Sequence, residues 1–527
     1  MSTKKQIFPI TPLVLIILDG FGLADPKISG NAITPKTAPH IFSYLKKYPN
    51  AKLKASGRDV GLFANQEGNS EAGHFNIGAG RIVKQDLVRI SEAIKDGTFY
   101  KNEAFLQAIH YAHEHKSTLH VMGLLTNGQS AHAHPQHVYA LLELLRRHKV
   151  ERVALHLFTD GRDSSPHSAI THLRKLRKYL APHEKIASVM GRFYAMDRNK
   201  IWSRTEIAYR ALVLGKAEHT AASAEEAISA GYNRGETDEY ITPTIIEKDD
   251  RPIATIGDHD AIIFFNARSD RARQLTKAFV QPQSEFNAIN SGVFKRTQFP
   301  KNIRFVAMTD FGPDLPNILT AFPSPDVVHS LVSAIDERYK QLYISETEKY
   351  AHITYFINGG YSTAINGEKR ELIPSGDTYS YADKPGMCSR EVTSRILSHL
   401  KKQEYDFIAV NFPNVDMVGH TGDYPATCQA VKIIDGHVAQ IVTAVMRQHG
   451  AVVITADHGN AEMMYDPETG AMDTEHSTSL VPFIIISASL RHHKIIKSGR
   501  LADVAPTLLR LLDIPKPKEM TSKSLIS

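Results

Sequence analysis

The sequence predicts an α/β protein made of two α/β domains, one split in sequence and the other inserted into it. Three observations predict this. Short apolar, β-branched runs alternate with helix-period segments along the whole chain, the pattern of βαβ units around buried parallel strands. The polar residues just after those runs fall into two chemically different sets. One set is drawn from both ends of the chain and the other only from the middle.

In order, the strands are "LVLIILDG" (13–20), "LHVMGLL" (119–125), "RVALHLFTD" (152–160) and "KIASVMG" (185–191). "AIIFFNA" (261–267), "IRFVAMTD" (303–310), "DFIAVNF" (406–412), "AVVITADHG" (451–459) and "VPFIIIS" (481–487) complete them. Residues 136–148 and 428–447 repeat apolar positions every three to four residues, so helices are expected there. After the strands at 13, 406 and 451 come acids and imidazoles: Asp19, Asp416, His420, Asp457 and His458. After the five middle strands come Asn127 and His132, Arg162 and Asp163, Arg192 and Arg198, Arg268 and Arg271, and Asp310. Open α/β sheets bind ligands at the carboxyl ends of their strands. The boundaries are placed at 84 and 320, where "RIVKQD" and "TAFPSPD" read as linkers, giving 1–84 with 320–527 as the split domain and 85–319 as the insertion. The opening "MSTKKQIFPIT" reads as a tail.

Composition narrows the function classes. The longest apolar run near the N-terminus, Leu13 to Leu18, is too short for a signal or a membrane span, so a cytoplasmic protein is expected. Cys388 and Cys428 are far apart, which supports neither a disulfide framework nor a thiolate zinc site. The net charge of +6 comes from scattered basic residues without a basic-aromatic stripe, so nucleic acid is not the expected partner. Arginines facing a small anionic substrate explain the excess equally well.

The candidate metal ligands are Asp19, Asp416, His420, Asp457, His458 and His476. Carboxylate and imidazole suit Mn²⁺ or Zn²⁺, and six ligands exceed what one tetrahedral centre uses. Asp416 and His420 are four apart and share a face if that turn is helical. An aspartate ending a strand also serves as a cap, and any one of 26 histidines can be an ordinary core or surface residue. Ser70 in "GNSEAGHFNIGAGR" reads locally as the cap of a helix starting at Glu71. Its position beside helix N–H groups equally suits a nucleophile facing an anion. Arg162, Arg192, Arg198, Arg268 and Arg271 form a set of guanidinium forks suited to a doubly anionic substrate. Asp163, next to Arg162, is held ionised and reads as a general acid/base.

Together, "ILDGFG", "GNSEAGHFNIGAGR", "DGRD", "GRFYAMDR", "SETEKYAHITYFINGG", "NVDMVGHTG", "TADHGNAE" and "APTLLRLLDIPKPKEMTSKSL" resemble the cofactor-independent phosphoglycerate mutases of the alkaline phosphatase superfamily, over nearly the whole chain. The resemblance implies an alkaline-phosphatase-like domain split in sequence, with an inserted phosphotransferase domain. It implies interconversion of 3-phosphoglycerate and 2-phosphoglycerate through a phosphoserine, with two Mn²⁺ ions and no bisphosphoglycerate. Asp19, Ser70, Asp457 and His458 would surround one metal, and Asp416, His420 and His476 the other. His132, Arg162, Asp163, Arg192 and Arg198 would hold the glycerate, with Asp163 moving the hydroxyl proton. Arg268, Arg271 and Lys349 would hold the phosphoryl group, Lys349 being singled out only by the "ETEKY" match. A monomer is implied, with phosphoglycerate as the small-molecule partner and neither nucleic acid nor membrane involved. Hinge motion at the linkers is expected, to shield the phosphoserine from water.

Two departures stand out. Where the family usually reads "SDGGVHSH", this chain has "TNGQSAHAH" (126–134), one residue longer, which leaves His132 and His134 as competitors. "NARSDR" carries Ser269 where proline is common. The alternative functions are a metal-dependent phosphomonoesterase or a phosphosugar mutase of the same superfamily. A non-enzymatic scaffold keeping the fold is the remaining reading.

Overall fold

In a computed structural model the described residues are 8–289, 292–315, 317–324, 327–466, 469–491 and 495–526. They divide into two compact units, Met1–Gln85 with Asp326–Ser527, and Asp86–Pro325. Residues 1–7 of the expected tail, and residues 325 and 326 of "FPSPD", lie outside the described residues.

The split unit is built on one sheet whose strands lie in the order Lys369–Ile373, Gln341–Glu346, Phe407–Phe412, Leu13–Leu18, Ala451–Thr455, Val481–Ile486, Asn50–Lys54 and Ser498–Arg500. The first five run parallel, and Val481–Ile486 is antiparallel to both its neighbours. Leu13–Leu18 is apolar and buried at every position, because helices cover both faces of a central parallel strand. Its register pairs Leu18 with Phe412 and Ile17 with Thr455, so three strands end side by side. Asp19 leaves the first of these ends, Asp416 follows the second and Asp457 the third.

The inserted unit has a second sheet in the order Ile318–Phe322, Arg304–Thr309, Ala261–Phe264, Leu119–Leu125, Val153–Thr159, Glu184–Gly191, Thr244–Lys248 and His219–Ala221, with Arg251–Pro252 beside Thr244–Lys248. Its central strands are also parallel, and Leu125, Thr159 and Gly191 fall at aligned ends. The helices Pro135–Arg147 and Tyr424–Arg447 occupy the two stretches of helical periodicity. The boundary expected near 320 shifts: Ile318–Phe322 pairs in parallel with Arg304–Thr309, so the crossing comes after that strand and not within it. Among the described residues, no helix is long and apolar enough to cross a membrane.

Candidate active site

The split unit gathers one cluster at its strand ends. Asp19, Asp416, Asp457 and His458 are almost fully buried, with Ser70 and Lys349 beside them. Ser70 is the first residue of the helix Ser70–Ala79, and Asn69, not Ser70, caps it: Asn69 Oδ1 accepts from Ala72 N at 2.9 Å. The local reading of Ser70 as the cap is therefore corrected, since the asparagine carboxamide satisfies the helix end and releases the serine hydroxyl. Gly68 and Gly73 let this helix press onto the next strand end. A Cβ on Gly73 would stand 2.6 Å from Asp457 O, and one on Gly68 2.8 Å from His458 Cβ.

Ser70 Oγ lies 3.3 Å from Asp19 Oδ1 and 2.9 Å from His458 Nε2. Lys349 Nζ donates to Asp19 Oδ1 at 2.7 Å, to Ser70 Oγ at 2.6 Å and to Asp416 Oδ2 at 2.8 Å. Asp416 falls in the helix Asn414–Gly419, and the following His420 places Nε2 3.3 Å from Asp416 Oδ1. His476 Nε2 lies at the same distance from that oxygen and 3.0 Å from His420 Nε2. Each of these histidines turns its other ring nitrogen to a backbone carbonyl: His420 to Thr474, His476 to Gly68 and His458 to Gly459. That leaves three Nε2 atoms turned toward the carboxylates, which is how metal-binding imidazoles are oriented.

The charges agree with this geometry. Burial works against ionisation of Asp19 and Asp416, but the Lys349 ammonium and nearby imidazoles hold both well below the usual carboxylate range. Burial also disfavours His458⁺, yet Asp457, Asp416 and Asp19 outweigh it and push the imidazole up to about 10. Asp457 Oδ2 is buried without a hydrogen-bond partner. Three carboxylates and three imidazoles, with that orphaned oxygen, fit divalent cations of the Mn²⁺ or Zn²⁺ kind. The groups converge in three overlapping sets: Asp416, His420 and His476; Asp19, Asp416 and His458; Asp19, His74 and Asp457.

Sequence reasoning missed His74, Asn411 and Asn460. His74 Nδ1 donates to Ser70 O at 2.9 Å and stands 3.2 Å from Asp457 Oδ2. Asn411 Nδ2 reaches both Asp19 Oδ2, at 2.8 Å, and His74 Nε2, at 3.0 Å. Asn460 Nδ2 donates to Asp416 Oδ1 at 2.9 Å. Two signals were available: His74 is four residues from Ser70 on one helix, and Asn411 interrupts an apolar strand.

The inserted unit gathers a cluster of opposite character. Arg192, 2% exposed, opens the helix Arg192–Ala195, and its Nη1 bonds Asp160 Oδ1 at 2.6 Å and Asp163 Oδ2 at 2.8 Å. Asp270 accepts from Arg198 Nη1 at 3.2 Å and lies 3.3 Å from Arg268 Nε and 3.7 Å from His132 Nδ1. Arg271 Nη1 donates to Met196 O at 3.3 Å. Burial, then repulsion from Arg192, Arg198 and Arg162, lowers the Arg271 guanidinium's affinity for its proton. Arg162 stands at the edge of this set, bonded to Glu239 Oε1 at 3.4 Å. His132 is buried with Nδ1 unpartnered, and its carbonyl accepts from Ala267 N at 2.7 Å. His134 instead caps the helix Pro135–Arg147, its Nδ1 accepting from Gln136 N at 3.3 Å. Burial, reinforced by Arg192 and Arg268 against Asp270, pushes His132 down to about 4. Asp163 is raised by burial but lowered more by the Ser130 hydroxyl and Arg192, so it stays ionised. Asn127 folds into a local turn, accepting from Gln129 N at 2.9 Å, and Asp310 turns on Gly312 N at 2.8 Å.

Comparison with known proteins assigns both units. Residues 90–313 match the family described as BPG-independent PGAM N-terminus, and residues 344–506 match the type I phosphodiesterase/nucleotide pyrophosphatase family. The chain is 46% identical over 520 residues to a 2,3-bisphosphoglycerate-independent phosphoglycerate mutase of Clostridium kluyveri, covering 98% of this chain and 99% of the relative. It is 48% identical over 519 residues to the protein of the same name from Moorella thermoacetica, with 98% of each covered. Leishmania mexicana phosphoglycerate mutase, solved at low cobalt concentration, superposes with a TM-score of 0.77 at 31% identity over 98% of both chains.

Proposed function

The chain belongs to the 2,3-bisphosphoglycerate-independent phosphoglycerate mutases of the alkaline phosphatase superfamily, and from that premise we propose how its two clusters divide the reaction. The enzyme interconverts 3-phosphoglycerate and 2-phosphoglycerate as an isomerase of glycolysis, using divalent metal. The observation that carries the division is the sign of the clusters: buried carboxylates around a serine in one unit, guanidiniums gathered on Asp160, Asp163 and Asp270 in the other.

In this reading two Mn²⁺ ions would be held, one by Asp19, Asp457, His458 and Ser70, the other by Asp416, His420 and His476. Bound there, the cations neutralise phosphoryl charge and lower the pKa of the serine hydroxyl. Ser70 Oγ attacks phosphorus, forming an O–P bond as the bond to the glycerate oxygen breaks. The N-terminus of its helix and Lys349 Nζ, 2.6 Å away, stabilise the charge that develops. Asp163, ionised at rest, receives the proton that Ser70 sheds and passes it to the departing glycerate oxygen. In the second half it takes the proton of the neighbouring hydroxyl as that oxygen attacks the phosphoserine, and this proton returns to the freed Ser70 oxygen, so atoms and protons balance over the cycle. Arg162, Arg192, Arg198 and His132 hold the glycerate, while Arg268, Arg271 and Lys349 hold the phosphoryl group. His132, not His134, takes the substrate role, because His134 is committed to its helix cap. The same reading makes the enzyme a cytoplasmic monomer.

The test is to supply 3-phosphoglycerate and Mn²⁺ without bisphosphoglycerate and to follow both 2-phosphoglycerate and free phosphate. We expect 2-phosphoglycerate to accumulate and a chelator to stop it. Free phosphate alone would instead establish a phosphomonoesterase.

A further inference from the structure

Two strand-end loops of the inserted unit are joined by one hydroxyl that the mechanism above does not use. Ser130 is 1% exposed and lies in the 126–134 stretch, where this chain departs from its family's usual pattern. Aligned on the histidine, "GVH" in that pattern meets Ser130-Ala131-His132 here, so the hydroxyl belongs to this chain's altered loop. Ser130 Oγ accepts the His132 backbone N–H at 3.1 Å and donates to Asp163 Oδ2 at 2.6 Å. With an acceptor site given to His132, the hydroxyl proton is directed to the carboxylate. His132 is fixed in turn by its carbonyl, which accepts from Ala267 N at 2.7 Å, next to Arg268. A path of hydrogen bonds and backbone therefore runs from Asp163 through Ser130 and His132 to the arginine-bearing loop at 266–271.

We propose that Ser130 is a positioning residue for Asp163, fixing the carboxylate so that Oδ1 is presented to the substrate hydroxyl. Both recorded hydrogen bonds of the Asp163 side chain, from Ser130 and from Arg192 Nη1, land on Oδ2. Among the described residues Oδ1 accepts none. A carboxylate held by two donors on one oxygen cannot rotate freely, and the other oxygen keeps its lone pairs for proton transfer. Arg192 alone does not achieve this, because the same Nη1 is shared with Asp160. The Ser130 proton stays on Oγ throughout; only the Asp163 proton is exchanged. This inference rests on the proposed role of Asp163.

The experiment uses the Mn²⁺-loaded full chain and measures kcat and KM for 2-phosphoglycerate formation in Ser130→Ala and Ser130→Thr. Loss of one charge-assisted hydrogen bond to the proton-transferring group predicts a fall of about tenfold in kcat with KM changed less than about twofold. Ser130→Thr, which keeps the hydroxyl, restores at least half of the rate. In an Asp163→Asn background the Ser130→Ala change has no further effect, because the two act as one unit. If Ser130→Ala does not fold, Ser130→Cys keeps the volume with a weaker donor and must show the same kcat-selective loss. Wild-type kcat in a folded Ser130→Ala protein, or equal losses in Ala and Thr, overturns the positioning role. Failure of the wild type to make any 2-phosphoglycerate overturns the mutase reading and this inference with it.

Discussion

His458 in the split unit and His132 in the inserted unit are both buried, yet their imidazoles move in opposite directions, to about 10 and to about 4. Burial disfavours the charged ring in each case, so their neighbours make the difference. His458 faces three carboxylates that overcome burial, whereas burial dominates at His132, where Asp270 and Asp163 are opposed by Arg192 and Arg268. Two sheets of the same parallel type thus end in fields of opposite sign. One end attracts cations and the other attracts anions. A mutase that must keep both a phosphoryl group and a glycerate has a use for each.

The largest test of this contrast is Ser70→Ala. If the acidic cluster is where phosphoryl transfer occurs, the variant loses at least about 10⁴-fold in kcat. Its circular dichroism stays native, because Asn69 supplies the helix cap. Mutase activity within a factor of ten of wild type would remove the phosphoserine from the scheme.

Next in size is Arg192→Gln. One guanidinium nitrogen there serves the buried Asp160 and also Asp163, so its loss leaves a buried carboxylate without its cation. We expect kcat/KM to fall about 10²- to 10³-fold and stability by about 3–5 kcal/mol, read by urea unfolding. An unfolding midpoint that does not move would mean that Asp160 is not held by this charge.

The smallest effect separates the units by pH. The folded-state value of His132 lies below the ordinary 6.5, so the unfolded chain binds the proton more readily between 6.5 and about 4. Its contribution is complete above pH 6.5 and is lost as pH falls through that window, on the order of 2–3 kcal/mol. Urea titrations across the window should show His132→Gln losing less stability than wild type. Equal losses would place the acid sensitivity elsewhere.

Much of this was legible in the sequence. Strands such as Leu13–Leu18 and Ala451–Thr455 are continuous apolar runs because helices cover both faces, and such runs announce themselves. Gln341–Glu346, Lys369–Ile373 and Ser498–Arg500 did not, being polar or short at or near the two edges of the sheet. The acids and arginines after the strands were visible through their position. Their supports were not: Ser130 looks like any loop serine, and Asp270 is a single acid between arginines. Only tertiary proximity shows that Asp270 holds Arg198 and Arg268 beside His132. The local cap reading of Ser70 could not be settled from sequence, because Asn69 and Ser70 both suit that position and only the backbone decides between them.

The split of the first unit has a consequence for how the chain is made. Leu13–Leu18 emerges early from the ribosome, but its two sheet neighbours, Phe407–Phe412 and Ala451–Thr455, come roughly 400 residues later, a wait of about 20–80 s at ordinary rates of synthesis. During that interval a six-residue, wholly apolar segment has no partner, while the whole of the insertion has already been made and can fold. The order of synthesis therefore makes the later half of translation set the moment at which Asp19 and Ser70 meet Asp457.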